Sequence, residues 1–146
     1  MADAYITALT LLSARELSET QLRARLTRRQ HAPDDIDQAI ARLKEDRTLD
    51  DRRVAGALAR LETSIKHRGR ARVIQKIRQA GISAAIAEDA VKEVFADVDE
   101  NALLERALDR RLRGQAAREL DERGRARIVR GLMAQGFRLE AILKKL

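Results

Sequence analysis

An internal repeat constrains the fold of this chain more than any other feature. The segment Arg68–Ile74 (Arg-Gly-Arg-Ala-Arg-Val-Ile) recurs 55 residues later as Arg123–Val129 (Arg-Gly-Arg-Ala-Arg-Ile-Val). In each copy a second glycine, Gly81 or Gly136, follows 12 residues after the first and precedes a bulky apolar residue. Self-similarity at a fixed spacing is typical of tandem arrays, in which a small unit completes its core by packing on its neighbours.

A fainter third copy precedes these two. A shift of 51 residues back from Gly69 reaches Ser18, and the apolar positions then coincide. In this first copy Leu17-Ser18-Glu19 replaces the arginine–glycine signature, so three copies share a scaffold and two share a basic signature. The corresponding apolar residues are Leu22, Val73 and Ile128; Leu26, Ile77 and Leu132; and Ile40, Val91 and Leu146.

The composition indicates helices rather than sheets. Aromatic residues make up only 2% of the chain, charged residues make up 36%, and there is a single proline. Each repeat contains two short helices joined by a tight turn, which is the geometry of a helix-turn-helix unit. We therefore predict an all-α fold of three tandem three-helix repeats, stacked into an elongated, curved body. The expected units are 1–50, 51–98 and 99–146.

Local signals predict where individual helices begin and end. Ser18, with Gln21 three residues later, forms a capping box, and Pro33 suits the first turn of a helix. Gly81 is expected to end a helix in a left-handed cap, and Asp50 is expected to cap a long helix that runs to about His67. The inward stripe predicted for that long helix is Val54, Leu58, Leu61 and Ile65.

Positive charge is concentrated locally, within a net charge of +7. Residues 52–82 contain nine basic side chains and one acid, whereas residues 83–104 contain six acids and one lysine. Arg70 and Arg125 are expected in the first turns of their helices, where the helix dipole disfavours a cation by roughly 0.3–1 kcal/mol. Arginines at a helix N-terminus form a site for phosphates or carboxylates.

We predict that the partner-binding, anion-binding residues are those of the repeated basic signature. The alternative is a solvated face whose arginines pair with nearby acids such as Asp121 and Glu122. By contrast, we interpret Arg110, Arg111 and Arg113 as a solvated face, because they lie among acids on a long helix. The predicted binding residues are Arg68, Arg70, Arg72, Lys76, Arg123, Arg125 and Arg127.

Enzymatic chemistry has little support in the sequence. There is no cysteine, and the two histidines lie in different turns without the spacing of metal ligands. Asp50-Asp51 is better explained as helix capping than as an acid–base pair. We therefore predict a non-catalytic protein without a cofactor. Because the longest uncharged run near the start, Ala4–Ala14, is too short to cross a bilayer, we also expect a cytoplasmic protein that is not bound to a membrane.

Four short motifs occur in register with the repeat and extend over essentially the whole chain. They are Ala8–Ser18 (Ala-Leu-Thr-Leu-Leu-Ser-Ala-Arg-Glu-Leu-Ser), Leu49-Asp50-Asp51, Arg68-Gly69 with Gly81-Ile82, and Gly136-Phe137. In this order they resemble the RecX family, the bacterial regulatory proteins that act on the RecA recombinase.

The resemblance implies a curved body that lodges in the helical groove of the RecA–DNA filament and contacts its DNA without sequence preference. Such proteins inhibit or limit ATP hydrolysis, strand exchange and co-protease activity in DNA repair and the SOS response. We expect the chain to act as a monomer. Two alternatives remain open from the residues alone: an independent helix-turn-helix DNA-binding protein, and a scaffold whose charged segments bind another protein.

Overall fold

The computed structural model describes residues 3–146, and this part of the chain forms nine α-helices without a β-strand. A π-helical turn at Leu61–Ile65 continues the fourth helix, and a short 3-10 turn at Ala117–Glu119 precedes the eighth. The predicted all-α fold is confirmed. The helices are α1 (Ala4–Ala14), α2 (Glu19–Arg28), α3 (Pro33–Glu45), α4 (Asp51–Arg60), α5 (Arg70–Gln79), α6 (Ala84–Phe95), α7 (Glu100–Leu112), α8 (Glu122–Ala134) and α9 (Leu139–Lys145).

Side chains that accept hydrogen bonds from free amide groups determine most helix starts. Ser18 accepts from the Gln21 N–H, and the Gln21 side chain accepts from the Ser18 N–H, which completes the predicted capping box of α2. Asp50 caps α4 by accepting from two amides of its first turn. Pro33 is the first residue of α3. Local sequence is therefore sufficient to start these helices.

Three separate apolar cores follow one another along the chain, one for each helical triplet. The first lies between α1, α2 and α3, the second lies between α4, α5 and α6 and includes Leu103 of α7, and the third lies between α7, α8 and α9. Phe137 packs against both the second and the third core. The limits of the units at 1–50, 51–98 and 99–146 stay a prediction. Fully buried residues of the three cores include Leu22, Leu26 and Leu43; Val73, Ile77 and Ile82; and Leu132 and Ile142.

The predicted inward stripe of the long fourth helix is wrong in its last turn. Leu61 is 42% exposed and Ile65 is 67% exposed, whereas Glu62 and Thr63 are buried. Ala55, Ala59 and Glu62 are buried at intervals of four and three residues, so the inward face of the helix follows this line. Leu61 and Ile65 lie beside it on the exposed side, and the carboxylate of Glu62 lies on the inward side.

Equivalent contacts join each unit to the next. At the first junction, the Ser18 hydroxyl at the start of α2 donates to the carbonyl of Ala80 in the turn after α5. At the second, the Gly69 N–H at the start of α5 donates to the carbonyl of Gln135 in the turn after α8, at 2.9 Å. Since Ser18 and Gly69 correspond in the repeat, the two junctions form in the same way. At each one, the start of a helix in one unit contacts the glycine turn of the next unit.

Candidate anion-binding surface

Arg68 pairs with a carboxylate inside the protein. Its Nε lies 3.1 Å from Oε2 of Glu62, whose side chain is only 3% exposed. Lys66 Nζ lies 3.4 Å from the other carboxylate oxygen. Glu62 follows the buried Ala55 and Ala59 at intervals of four and three residues, so it lies on the inward face of the helix. Much of the positive charge of Arg68 is thereby directed at the protein's own interior.

Arg70 is the first residue of α5, as predicted, and it also has an internal partner. Its Nε lies 2.8 Å from Oε1 of Glu100, the first residue of α7, and its guanidinium lies 5.1 Å from the ring centre of Phe95. Both charged side chains are about half exposed. Arg70 therefore links the second unit to the third while keeping one side in solvent.

Arg72 and Lys76 lie further along α5. Arg72 donates to Oε1 of Gln75 at 2.7 Å, and Lys76 is half-buried with no carboxylate within 4.0 Å among the described residues. Residues two apart on an α-helix point in directions about 200° apart. Arg70 and Arg72 consequently face different sides of α5.

The third copy of the repeat starts its helix earlier than the second. Asp121 caps α8 by accepting from the Gly124 N–H at 2.7 Å, and the Arg125 N–H already donates to the Asp121 carbonyl. Arg125 is the fourth residue of α8 and lies in the first turn, as predicted, but its N–H already has a partner within the helix, because a cap that the second copy lacks lengthens α8 at its start. The amide groups at this helix end are also partly satisfied by the Asp121 carboxylate.

Exposed and unpaired positive charge is concentrated in the third unit. Arg123, Arg125 and Arg127 are exposed, and none has a carboxylate within 4.0 Å in residues 3–146. In residues 51–98, four of the seven arginines form ion pairs, whereas in residues 99–146 none of the ten arginines does so within the part of the chain described. The basic signature is thus shared by two copies, but its charge is available mainly in one.

The structure brings Arg127 together with three arginines that the sequence analysis assigned to a solvated face. Arg110, Arg111 and Arg113, at the end of α7, line a cleft of about 600 Å³ with Arg127 of α8. We call it the α7–α8 cleft. No carboxylate lines it, and Ala107, Leu112 and Ile128 form its apolar part. In the sequence, Gly114 is the residue that could have indicated the cleft. Its φ of 84° helps the chain to reverse its direction after α7.

Arg111 is an exposed residue of the cleft lining and is held by neutral acceptors. Its Nη2 donates to the Gly131 carbonyl at 3.1 Å and to Oε1 of Gln135 at 3.3 Å. The Gln135 side chain in turn donates to the His67 carbonyl at 2.9 Å. A Cβ at Gly131 would lie 2.1 Å from Arg111 Nη1, so a glycine is needed there for the guanidinium to fit. These acceptors are neutral, so no negative charge offsets the guanidinium of Arg111 at these contacts.

The acids that might have suggested catalysis serve as helix caps. Asp50 caps α4, and Oδ1 of Asp51 accepts from the Glu19 N–H at 2.8 Å, across the junction between the first two units. Within residues 3–146, no three His, Cys, Asp or Glu side chains are grouped so that they could hold a metal ion. None of the helices described is both long and apolar enough to span a membrane.

Comparison with known proteins gives one consistent result. The family model described as RecX, first three-helix domain, matches residues 4–43. The protein named regulatory protein RecX from Trichlorobacter lovleyi is 29% identical over 147 residues, which cover 97% of this chain and 92% of that protein. The protein of the same name from Pseudomonas entomophila is 33% identical over 137 residues, covering 93% and 84%.

The fold is shared with a solved structure. The crystal structure of RecX from Lactobacillus salivarius superposes with a TM-score of 0.78 at 21% sequence identity. The superposition covers 97% of this chain and 90% of that chain. Both structures therefore have the same arrangement of helical triplets.

Proposed function

Because the chain belongs to the RecX family, we propose that it is a non-catalytic regulator that binds the RecA–DNA filament and limits recombinase activity. The activities affected would be ATP hydrolysis, strand exchange and co-protease cleavage during DNA repair and the SOS response. We propose that the protein is a monomer in the cytoplasm. We also propose that it contacts the filament through the residues of the basic signature, which are Arg68, Arg70, Arg72, Lys76, Arg123, Arg125 and Arg127.

The observation that best supports this proposal is the unpaired charge of the third unit. A nucleoprotein filament is a polyanion, and arginine forks bind phosphates and carboxylates in a bidentate manner. Arg123, Arg125 and Arg127 are exposed without a carboxylate within 4.0 Å in the region described. They can therefore meet an external anion without first breaking an internal pair, as Arg68 and Arg70 would have to do.

The proposal is tested by titrating the protein into a RecA ATPase assay on single-stranded DNA. The wild type is expected to suppress ATP hydrolysis at less than one molecule per RecA. The variant Arg123→Gln, Arg125→Gln, Arg127→Gln should need about tenfold more protein, because three exposed contacts of roughly 0.5 kcal/mol each together approach one tenfold step. The matched control is Arg15→Gln, Arg28→Gln, Arg29→Gln, which removes three exposed charges of the first unit.

The outcomes separate the competing functions. Equal suppression by the variant and the wild type would exclude Arg123, Arg125 and Arg127 as the contact surface. Absence of suppression by the wild type, combined with tight, salt-sensitive binding to naked DNA, would favour the independent helix-turn-helix protein instead. If the wild type neither suppresses RecA ATPase nor binds naked DNA, the remaining hypothesis is a scaffold that binds another protein.

A further inference from the structure

We infer that the third unit binds the phosphodiester backbone of nucleic acid directly, through the α7–α8 cleft, without help from the recombinase. The ligand class is a polyphosphodiester, and recognition is independent of base sequence. This inference deepens the proposed function, since the filament's DNA would supply the phosphates. The residues that carry it are Arg110, Arg111, Arg113 and Arg127.

Helix stability alone does not explain four guanidinium groups around one cleft. Arg110 and Arg111 lie in the last turn of α7, where the helix dipole favours cations. That explanation does not extend to Arg127, which lies inside α8, and the groups repel one another without a carboxylate in the lining. An anion bound between them would remove this repulsion.

Two acids line an adjoining hollow of about 330 Å³, which shares Arg111 and Arg127 with the cleft. Glu119 and Asp121 line that hollow. Asp121 already accepts the Gly124 N–H as the cap of α8, and Glu119 forms no ion pair within 4.0 Å in the described chain. The arginines of the cleft are thus near acids without being neutralised by them.

The backbone after α7 is shaped to place Arg113 on the cleft. Arg113 has a φ of 51° and Gly114 a φ of 84°, so the chain reverses immediately after the helix. The left-handed conformation disfavours an ordinary L-residue by roughly 1–2 kcal/mol, and glycine is the usual choice for it. Gln30, Arg47 and His67 adopt the same left-handed conformation after their helical segments, and what distinguishes Arg113 is the guanidinium that it adds to the cleft lining.

The positive surface extends beyond the cleft along α8. Arg123, Arg127 and Arg130 line a further hollow of about 310 Å³, together with Glu122 and Ala126. Positions separated by four and then three residues share one face of a helix, and seven residues span roughly 10 Å. Because Arg127 belongs to both hollows, the guanidinium groups form a track, which suits an extended polymer better than a small anion.

The lining indicates contact with phosphates rather than with bases. No aromatic side chain lines the α7–α8 cleft, so stacking on bases is absent from this surface. Gln135 is engaged with His67 and Arg111, which leaves Gln115 as the one lining amide without such a contact. Direct reading of base edges needs several such groups. Single- and double-stranded nucleic acids both carry the phosphodiester backbone for which this lining is suited.

The test measures binding of the full chain to naked DNA by fluorescence anisotropy. The probes are a labelled oligo(dT) strand and a labelled duplex of equal length, each titrated over a range of salt concentrations. The variant Arg110→Gln, Arg113→Gln, Arg127→Gln should lower the slope of log K against log salt by about 2 for the single strand and by about 2.7 for the duplex, if each arginine contacts one phosphate. Arg111 is kept because of its internal hydrogen bonds.

The control variant Arg15→Gln, Arg28→Gln, Arg29→Gln should keep the wild-type slope. Circular dichroism and thermal melting check that each variant folds, and the single variants Arg110→Gln and Arg113→Gln, each expected to lower the slope by about 0.7–0.9, replace the triple variant if it does not. A loss confined to one of the two probes would still support the inference and would identify the nucleic acid that uses the cleft.

Three results would overturn the inference. They are a wild type that does not bind either probe, an unchanged slope in the cleft variant, and competition by polyglutamate as strong as that by DNA, which would indicate an acidic protein partner. If the wild type fails to bind naked DNA yet suppresses RecA ATPase, the inference fails and the proposed function stands. If it binds DNA through the cleft without affecting RecA, the proposed function fails and the inference stands.

Discussion

The backbone of Gly69 lies directly against the backbone of Gly136, although 67 residues separate them in the chain. A Cβ at Gly69 would lie 2.5 Å from the Gly136 carbonyl oxygen and 2.6 Å from its carbonyl carbon. Gly136 itself has a φ of 105°, and a Cβ there would lie 2.6 Å from that of Arg72. Both glycines of the repeat signature are therefore needed for the second and third units to approach each other.

Replacing Gly69 by alanine should destabilise the junction between these units. The φ of −78° at Gly69 suits alanine, so the effect comes from the contact with Gly136 and not from backbone conformation. Since the opposing atoms are backbone, they cannot rotate away, and we expect a loss of about 1–3 kcal/mol in the free energy of unfolding. Urea denaturation measures it.

The control for that experiment is Gly56→Ala. Gly56 lies inside α4, and a Cβ there would meet only the flexible end of Arg60, at 3.3 Å. Alanine is a better helix former than glycine by roughly 1 kcal/mol, so this variant should be as stable as the wild type or more so. A loss of stability in Gly56→Ala equal to that in Gly69→Ala would show that the close approach is not the cause.

Ser18→Ala should destabilise the protein more than Ser83→Ala does. Each serine caps a helix, accepting from the amide of Gln21 or Ile86. Only Ser18 also donates across a junction, to the carbonyl of Ala80. Loss of the cap is expected to lower the free energy of unfolding by roughly 0.5–2 kcal/mol in both variants. In Ser18→Ala, loss of the junction hydrogen bond should lower it by about 1 kcal/mol more. Equal losses on chemical denaturation would mean that the junction bond contributes nothing.

Much of the fold could be predicted because its signals are local. A capping box, an aspartate before a helix and a glycine after one act over three or four residues, and Ser18, Asp50 and Gly81 all behave as predicted. The repeat then predicted three triplets, because each copy must bury its own apolar stripe against neighbours. The residues that carry the family resemblance include those that join the units, such as Ser18, Asp51 and Gly69.

The details of the binding surface could not be predicted, because they depend on contacts between distant parts of the chain. The pairing of Arg70 with Glu100 spans 30 residues, and the hydrogen bonds that hold Arg111 span 20 and 24. The repeat also suggested equal roles for the second and third copies. Asp121, which has no counterpart as a side-chain cap at Gly69, changes where the third copy starts its helix.

Arg68→Met should destabilise the protein strongly, in contrast to Arg70→Met. Arg68 pairs with the buried Glu62, and removal of one partner from a buried pair lowers stability by up to about 3–5 kcal/mol, an effect that Lys66 should reduce here. Arg70 pairs with the half-exposed Glu100, so its loss should lower stability by only about 0.2–1 kcal/mol.

A second variant separates the buried charge from other effects of the Arg68 substitution. Adding Glu62→Gln to Arg68→Met removes the buried carboxylate and should recover part of the lost stability in urea denaturation. If the double variant is no more stable than Arg68→Met alone, the unpaired carboxylate is not the origin of the loss.

Glu19 should make the stability of the first unit depend on acid pH. Burial raises the pKa of Glu19, but hydrogen bonds and charge attraction from Lys44 and Arg23 outweigh it, so this pKa lies below its ordinary value of 4.5. A carboxyl whose pKa is depressed by folding stabilises the native state above the pKa of the unfolded chain. That contribution is lost as the pH falls from 4.5 through the lower, folded-state pKa.

Glu19→Gln should therefore lower the free energy of unfolding at about pH 7, by roughly 0.5–1 kcal/mol for a partly exposed pair. The difference from the wild type should shrink as the pH falls below 4.5 and vanish below the folded-state pKa of Glu19. Urea denaturation at a series of pH values measures this difference. Glu45→Gln serves as the control, since Glu45 is exposed and has no basic side chain within 4.0 Å in the described region. A Glu19→Gln effect that stays constant from neutral to acid pH would show that lost packing, and not the carboxylate charge, is responsible.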